Sequence, residues 1–174
     1  AIERITAQKA VTPSKPVFLY YATGAMHSPH HAPKEYIERY KGRFDAGWDV
    51  VREETLAKQK ELGIVPGDTV LPPRNPGVRA WDELSDDEKR LFCRQMEVFA
   101  AYGEYADSEI GRLISAIKDQ GQLDNTLIFY VLGDNGASAE GGMSGLFSEM
   151  TYFNGVTETV QDILKHYNEL GGPS

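Results

Sequence analysis

One cysteine, Cys93, stands in 174 residues, so no internal disulfide framework is open to the chain. Its neighbours Leu91, Phe92 and Met96 place it on a helix facing a core, where a free thiol acts as a small hydrophobe. Long hydrophobic runs are lacking too. None approaches the roughly 20 apolar residues needed to span a bilayer, so no membrane segment is expected, and no signal-peptide pattern opens the chain. Clusters of Lys and Arg are also missing: 18 basic residues face 26 acidic ones, for a formal charge of −8. Phosphate backbones are bound through basic clusters, so nucleic acid is not an expected partner.

What is present suffices for a core, since 41% of the residues are hydrophobic. Two stretches, residues 16–22 and 126–132, are apolar without alternation and rich in β-branched and aromatic residues. That pattern predicts strands buried on both faces, as in parallel sheets. Between them, Ser85-Asp86-Asp87-Glu88 forms a capping box. Apolar residues at 92, 96, 99, 102, 106, 110, 113 and 117 then step at a helical period as far as Gly121. A helix over 85–120 of this length suits the crossover of a βαβ unit. Further helices are predicted over 1–10, 33–40, 48–62 and 157–170. The first lacks a cap in front of it, which suggests that residues upstream are missing. Residues 64–81 carry four prolines and two glycines and read as a surface excursion.

The second strand stops on Gly133-Asp134-Asn135-Gly136. Open α/β sheets bind ligands at the carboxyl edge of their strands, and there Asp134 and Asn135 offer hard oxygen donors of the kind Ca²⁺ or Mg²⁺ takes. Asp-Asn-Gly is equally a common turn, and strand context favours the site. The first strand leads into a loop holding His27, His30 and His31, interrupted by Pro29 and Pro33. The prolines break any helix that would bring His27 and His31 onto one face, and cysteine partners are lacking, so a zinc site is not expected. A single histidine at a strand end suits donation to an anion or general acid work. His27 is placed for it. His30, His31 and His166 read as loop or surface histidines. With both strands parallel, His27 and the Asp134-Asn135 pair are expected close together.

Taken in order, residues 18–36 with His27-Ser28-Pro29, the stretch 95–100, and residues 123–136 ending on Asp134-Asn135-Gly136 resemble a bacterial arylsulfatase, of the type I sulfatase family in the alkaline-phosphatase-like superfamily. The resemblance implies an α/β fold, part of an alkaline-phosphatase-like mixed or parallel sheet flanked by helices. It implies that His27 contacts a small-molecule sulfate ester, and that Asp134 and Asn135 are two ligands of a Ca²⁺ ion. The family's formylglycine nucleophile arises from a Cys/Ser-x-Pro-x-Arg motif, which this chain lacks; Cys93 is followed by Arg94-Gln95-Met96. Also lacking are the family's amino-terminal Asp pair, which completes the metal site, and its sulfate-neutralising lysines. Residues 1–174 are therefore expected to be an internal part of a single sulfatase catalytic domain, without the N-terminal nucleophile segment and the C-terminal segment, and inactive alone. The alternatives are a phosphatase or phosphodiesterase of the same superfamily, which calls for more Asp and His ligands, and a non-catalytic module on the same fold. The sequence specifies neither oligomeric state nor natural ester.

Overall fold

The computed structural model describes residues 1–133 and 141–172. Among the described residues six α-helices follow one another: α1 (Ile2–Val11), α2 (Lys34–Arg39), α3 (Gly47–Glu61), α4 (Asp86–Asp119), α5 (Glu149–Phe153) and α6 (Val160–Leu164). Single 3₁₀ turns lie at Trp81–Glu83 and Leu123–Asn125.

The long helix α4 is the spine. Its start is fixed as the capping box dictates: the Ser85 hydroxyl accepts from the Glu88 amide at 3.3 Å, and the Glu88 carboxylate accepts from the Ser85 amide at 2.8 Å. The Ser85 amide, the Arg79 guanidinium and the Ser85 hydroxyl together hold the Glu88 carboxyl down to about 2. At the other end Gly121 takes φ +65, the left-handed conformation that stops a helix. Replacing Ser85 by alanine leaves the Glu88 amide unsatisfied and is expected to cost about 1 kcal/mol. Urea denaturation checks this, and an unchanged unfolding free energy would mean the box does not hold α4.

Packing on α4 is one-sided. Leu91, Val98 and Ala101 are buried, and Ile37 of α2 joins Val98 and Ala101 in a cluster with Ala32, Tyr36, Tyr40 and Leu170 around it. Tyr36 adds an edge contact to Tyr105, with ring centroids 5.3 Å apart, and a 3.0 Å hydrogen bond to Ser108. The buried Glu97 is compensated, because Oε1 accepts from the Gly42 amide at 2.8 Å and Oε2 from Arg94 at 3.3 Å. This buried stripe is not the one the periodicity predicts. Of the eight apolar positions, Leu113 is buried, Met96 is exposed and the rest are half-buried. The shift arises because α2 and the segment around α6 settle on the 91–98–101 side. The helix predicted over 157–170 is likewise shorter: it is regular over Val160–Leu164 and continues as turns.

The predicted α/β class is overturned. Among the described residues there is no strand and no sheet, and no backbone hydrogen bond joins residues 16–22 to 126–132. Exposure alternates along both segments. Phe18 and Tyr20 are 92% and 83% exposed against 42% for Leu19, and Phe129 and Val131 are 80% and 86% exposed against 49% for Tyr130. Side chains alternate in this way along an extended backbone. One side of the second segment faces α4, where Tyr130 reaches Asp107 at 3.4 Å, and the other meets solvent. An unalternating apolar run marks residues suited to burial on both faces, whereas a sheet also needs a neighbouring strand and a second layer. Neither is supplied among the described residues. The accessible surface, 12538 Å², accordingly far exceeds the about 8,500 Å² of a typical folded monomer of this mass.

Candidate active-site loop

His27 sits in the loop between residues 22 and 33, where Met26 has φ +68 and the Ser28–Pro29 peptide is cis. A positive φ is uncommon for a residue with a long side chain. The surroundings hold it: the His27 amide donates to the Gly24 carbonyl at 3.0 Å, and a Cβ on Gly103 of α4 would lie 3.2 Å from the Met26 sulfur. The glycine thus leaves room for Met26 against α4. On the far side of the loop, the Ala32 amide donates to the Gly171 carbonyl at 3.0 Å.

The three loop histidines have different settings. His27 Nδ1 lies 3.0 Å from the Ser28 carbonyl oxygen and 3.3 Å from Glu149 Oε1. His30 turns inward, its ring 5.4 Å from Phe99 and 6.0 Å from Tyr102. Burial pushes its pKa down, opposed by a hydrogen bond to the Met26 backbone, so its role is packing. His31 lies against Gly172, whose left-handed φ of +107 lets the chain pass close to the ring. His166 stacks on Phe147 at 4.3 Å and faces Glu169 at 3.2 Å.

Glu149 is the residue that sequence reasoning missed. It begins α5, whose cap Ser148 accepts from the Met150 amide at 3.3 Å. The preceding turn is tied to α4 by Gln95 Nε2 donating to the Ser144 carbonyl at 2.9 Å, and to the approach to α6 by the Phe147 amide donating to Glu158 at 2.7 Å. No spacing signal joins positions 27 and 149, so only the folded chain reveals the pair.

Asp134 and Asn135, the predicted metal ligands, lie outside the described residues, as does their expected proximity to His27. Among the described residues no group of three or more His, Cys, Asp or Glu side chains is placed to hold a metal. Cys93 is a structural thiol. Its Sγ lies 3.5 Å from the Phe44 carbonyl, and burial, with Asp45 close by, pushes its pKa up to about 11, away from the thiolate needed of a nucleophile. No helix is long and apolar enough to cross a membrane among the described residues.

An uncharacterized sulfatase of Schizosaccharomyces pombe is 43% identical over 125 residues, covering 71% of this chain and 22% of that protein. An arylsulfatase of Klebsiella aerogenes is 36% identical over 130 residues, covering 75% of this chain and 28% of that protein. The chain therefore spans less than a third of the length of these curated relatives. The family model described as Sulfatase matches residues 1–168, nearly the full chain, and the chain belongs to the sulfatase family.

Proposed function

We propose that residues 1–174 are an internal part of a sulfatase catalytic domain whose whole protein hydrolyses sulfate esters, with His27 meeting the ester and Asp134 and Asn135 contributing to a Ca²⁺ site. The observation that carries the reading is the family match over residues 1–168, which includes the His27 loop and the Asp134-Asn135 pair. The surface supports the internal-part reading. Phe18, Tyr20, Leu127, Phe129 and Val131 are all strongly exposed, whereas monomers rarely leave large contiguous apolar patches in water.

His27 is suited to exchange a proton with the ester oxygen that leaves, or to donate a hydrogen bond to it, because imidazole changes charge near neutral pH. The donor set of Asp134 and Asn135, one carboxylate and one carboxamide, matches the hard oxygen ligands that Ca²⁺ prefers but supplies two of the roughly 6–8 it takes. A bound Ca²⁺ would supply positive charge against the sulfate oxygens. Within this chain, Asp134 and Asn135 would hold one side of the ion, and the nucleophile would come from elsewhere in the protein.

Calorimetric titration of Ca²⁺ into the 174-residue chain tests the half-site. Binding at about the millimolar level is expected, as for the weakest protein sites, with no turnover of an aryl sulfate by the same sample. Micromolar binding abolished by Asp134→Ala, or turnover abolished by His27→Ala, would mean that the site is complete within these residues and that the half-site reading is wrong.

A further inference from the structure

The turn that leads into His27 holds a residue its backbone disfavours. The His27 amide donates to the Gly24 carbonyl at 3.0 Å, which closes a turn over residues 24–27 and makes Met26 its third residue, at φ +68. A positive φ at that position suits glycine or asparagine, and a long side chain there is strained. Such strain persists where the surroundings over-determine it.

The surroundings lie on α4. A Cβ on Gly103 would come 3.2 Å from the Met26 sulfur and 3.3 Å from its methyl carbon, so the bare backbone of α4 is the seat for the thioether. Beside that seat, Phe99 and Tyr102 meet the His30 ring at 5.4 and 6.0 Å. The loop thus docks on one patch of α4 through Met26 before His27 and through His30 after it. Glycine inside a helix costs stability relative to alanine. Gly111, further along α4, has nothing within 4 Å of a Cβ and carries that cost without a contact to offset it. At Gly103 the close approach of Met26 offsets it.

We infer that Met26 and Gly103 are positioning residues, a knob and its seat, which fix where the loop holds His27 over α4. The inference rests on the reading of His27 as the group that meets the ester. Neither residue touches a reacting atom; both act through the placement of His27.

Met26→Gly separates backbone from side chain, because it gives the turn the residue its φ favours and removes the knob. In the whole protein it is expected to lower kcat for an aryl sulfate by about 10- to 100-fold, as a small displacement of a reacting group does, with no fall in Tm. Gly103→Ala is expected to lower kcat by about three- to tenfold. The double variant is expected to match Met26→Gly alone, since an added methyl group at 103 meets nothing once the knob is gone. Gly111→Ala is expected to leave kcat unchanged. A Met26→Gly enzyme as active as wild type, or losses that multiply in the double variant, overturns the inference.

A second readout needs no ester. The chain has four methionines and four histidines, so spectra of methyl-labelled Met and ring-labelled His in the 174-residue chain are assigned by single substitutions. Wild type is expected to show a cross-peak between the Met26 methyl group and the Gly103 α-protons. Gly103→Ala is expected to shift the Met26 methyl and His27 ring signals together, and Gly111→Ala to shift neither. Loss of the cross-peak from the wild-type spectrum, or a His27 signal that stays in place while the Met26 methyl moves, also overturns the inference. A whole protein that hydrolyses no sulfate ester would sink the functional reading, while these spectra still decide whether the knob places the ring.

Discussion

Substitution of His27 by alanine in the whole protein is expected to lower kcat/KM for an aryl sulfate by about 10²–10⁴-fold, the usual contribution of a positioned proton-transfer group. The expectation follows from the proposed role of His27 and from its setting in the loop, with Nδ1 3.0 Å from the Ser28 carbonyl oxygen and 3.3 Å from Glu149. Its neighbours provide the control. His30 is inserted between Phe99 and Tyr102, so His30→Ala should disturb packing of the loop more than chemistry. A small loss at His27 with a larger one at His30 would mean that the wrong ring has been placed against the ester. Steady-state kinetics on both variants, with Ca²⁺ supplied at the same level, separates the outcomes.

Gly47→Ala is expected to be the most damaging change to the fold. Gly47 has φ +78, and a Cβ there would lie 2.2 Å from the Trp81 ring atoms Cγ and Cδ2. The backbone conformation alone costs a residue with a Cβ roughly 1–2 kcal/mol, and overpacking against a fixed ring typically adds about 1–3 kcal/mol. Trp81 cannot withdraw cheaply. Its ring packs edge-on against Trp48 at 4.9 Å, and its amide donates to Asp49 at 2.9 Å, which is also bound by Arg74 at 2.8 Å. The start of α3 and the turn before α4 would both have to move. Against the roughly 5–15 kcal/mol that stabilises ordinary domains, a loss of this order removes a large share. Thermal unfolding should show a clear fall in Tm, and a variant as stable as wild type would mean that this junction is not packed as described.

The helices were legible where their signals are local. Ser85 and Glu88 announce the start of α4 and Gly121 its end, because capping is settled within a few residues of chain. Residues 16–22 and 126–132 misled because their apolar character is local while strand pairing is not. Tyr130 of the second segment meets α4, residues 16–19 of the first lie beside Arg4, Ile5 and Gln8 of α1, and no partner strand lies among the described residues. The face of α4 was misplaced for a related reason. Phe92, Phe99 and Tyr102 have the right period, yet Ile37 of α2 selects Val98 and Ala101 beside them. The nearness of Glu149 to His27 was not legible in the sequence, since it depends on how the turn before α5 is tied to Gln95. Asp134 and Asn135 rest on the motif and the family alone.

Paired assays of the whole protein, on an aryl sulfate and on the aryl phosphate with the same leaving group, test the central claim most directly. Turnover of the sulfate ester is expected to dominate and to fall with His27→Ala, while the 174-residue chain alone turns over neither ester. Preference for the phosphate ester, or turnover of neither by the whole protein, would contradict the account.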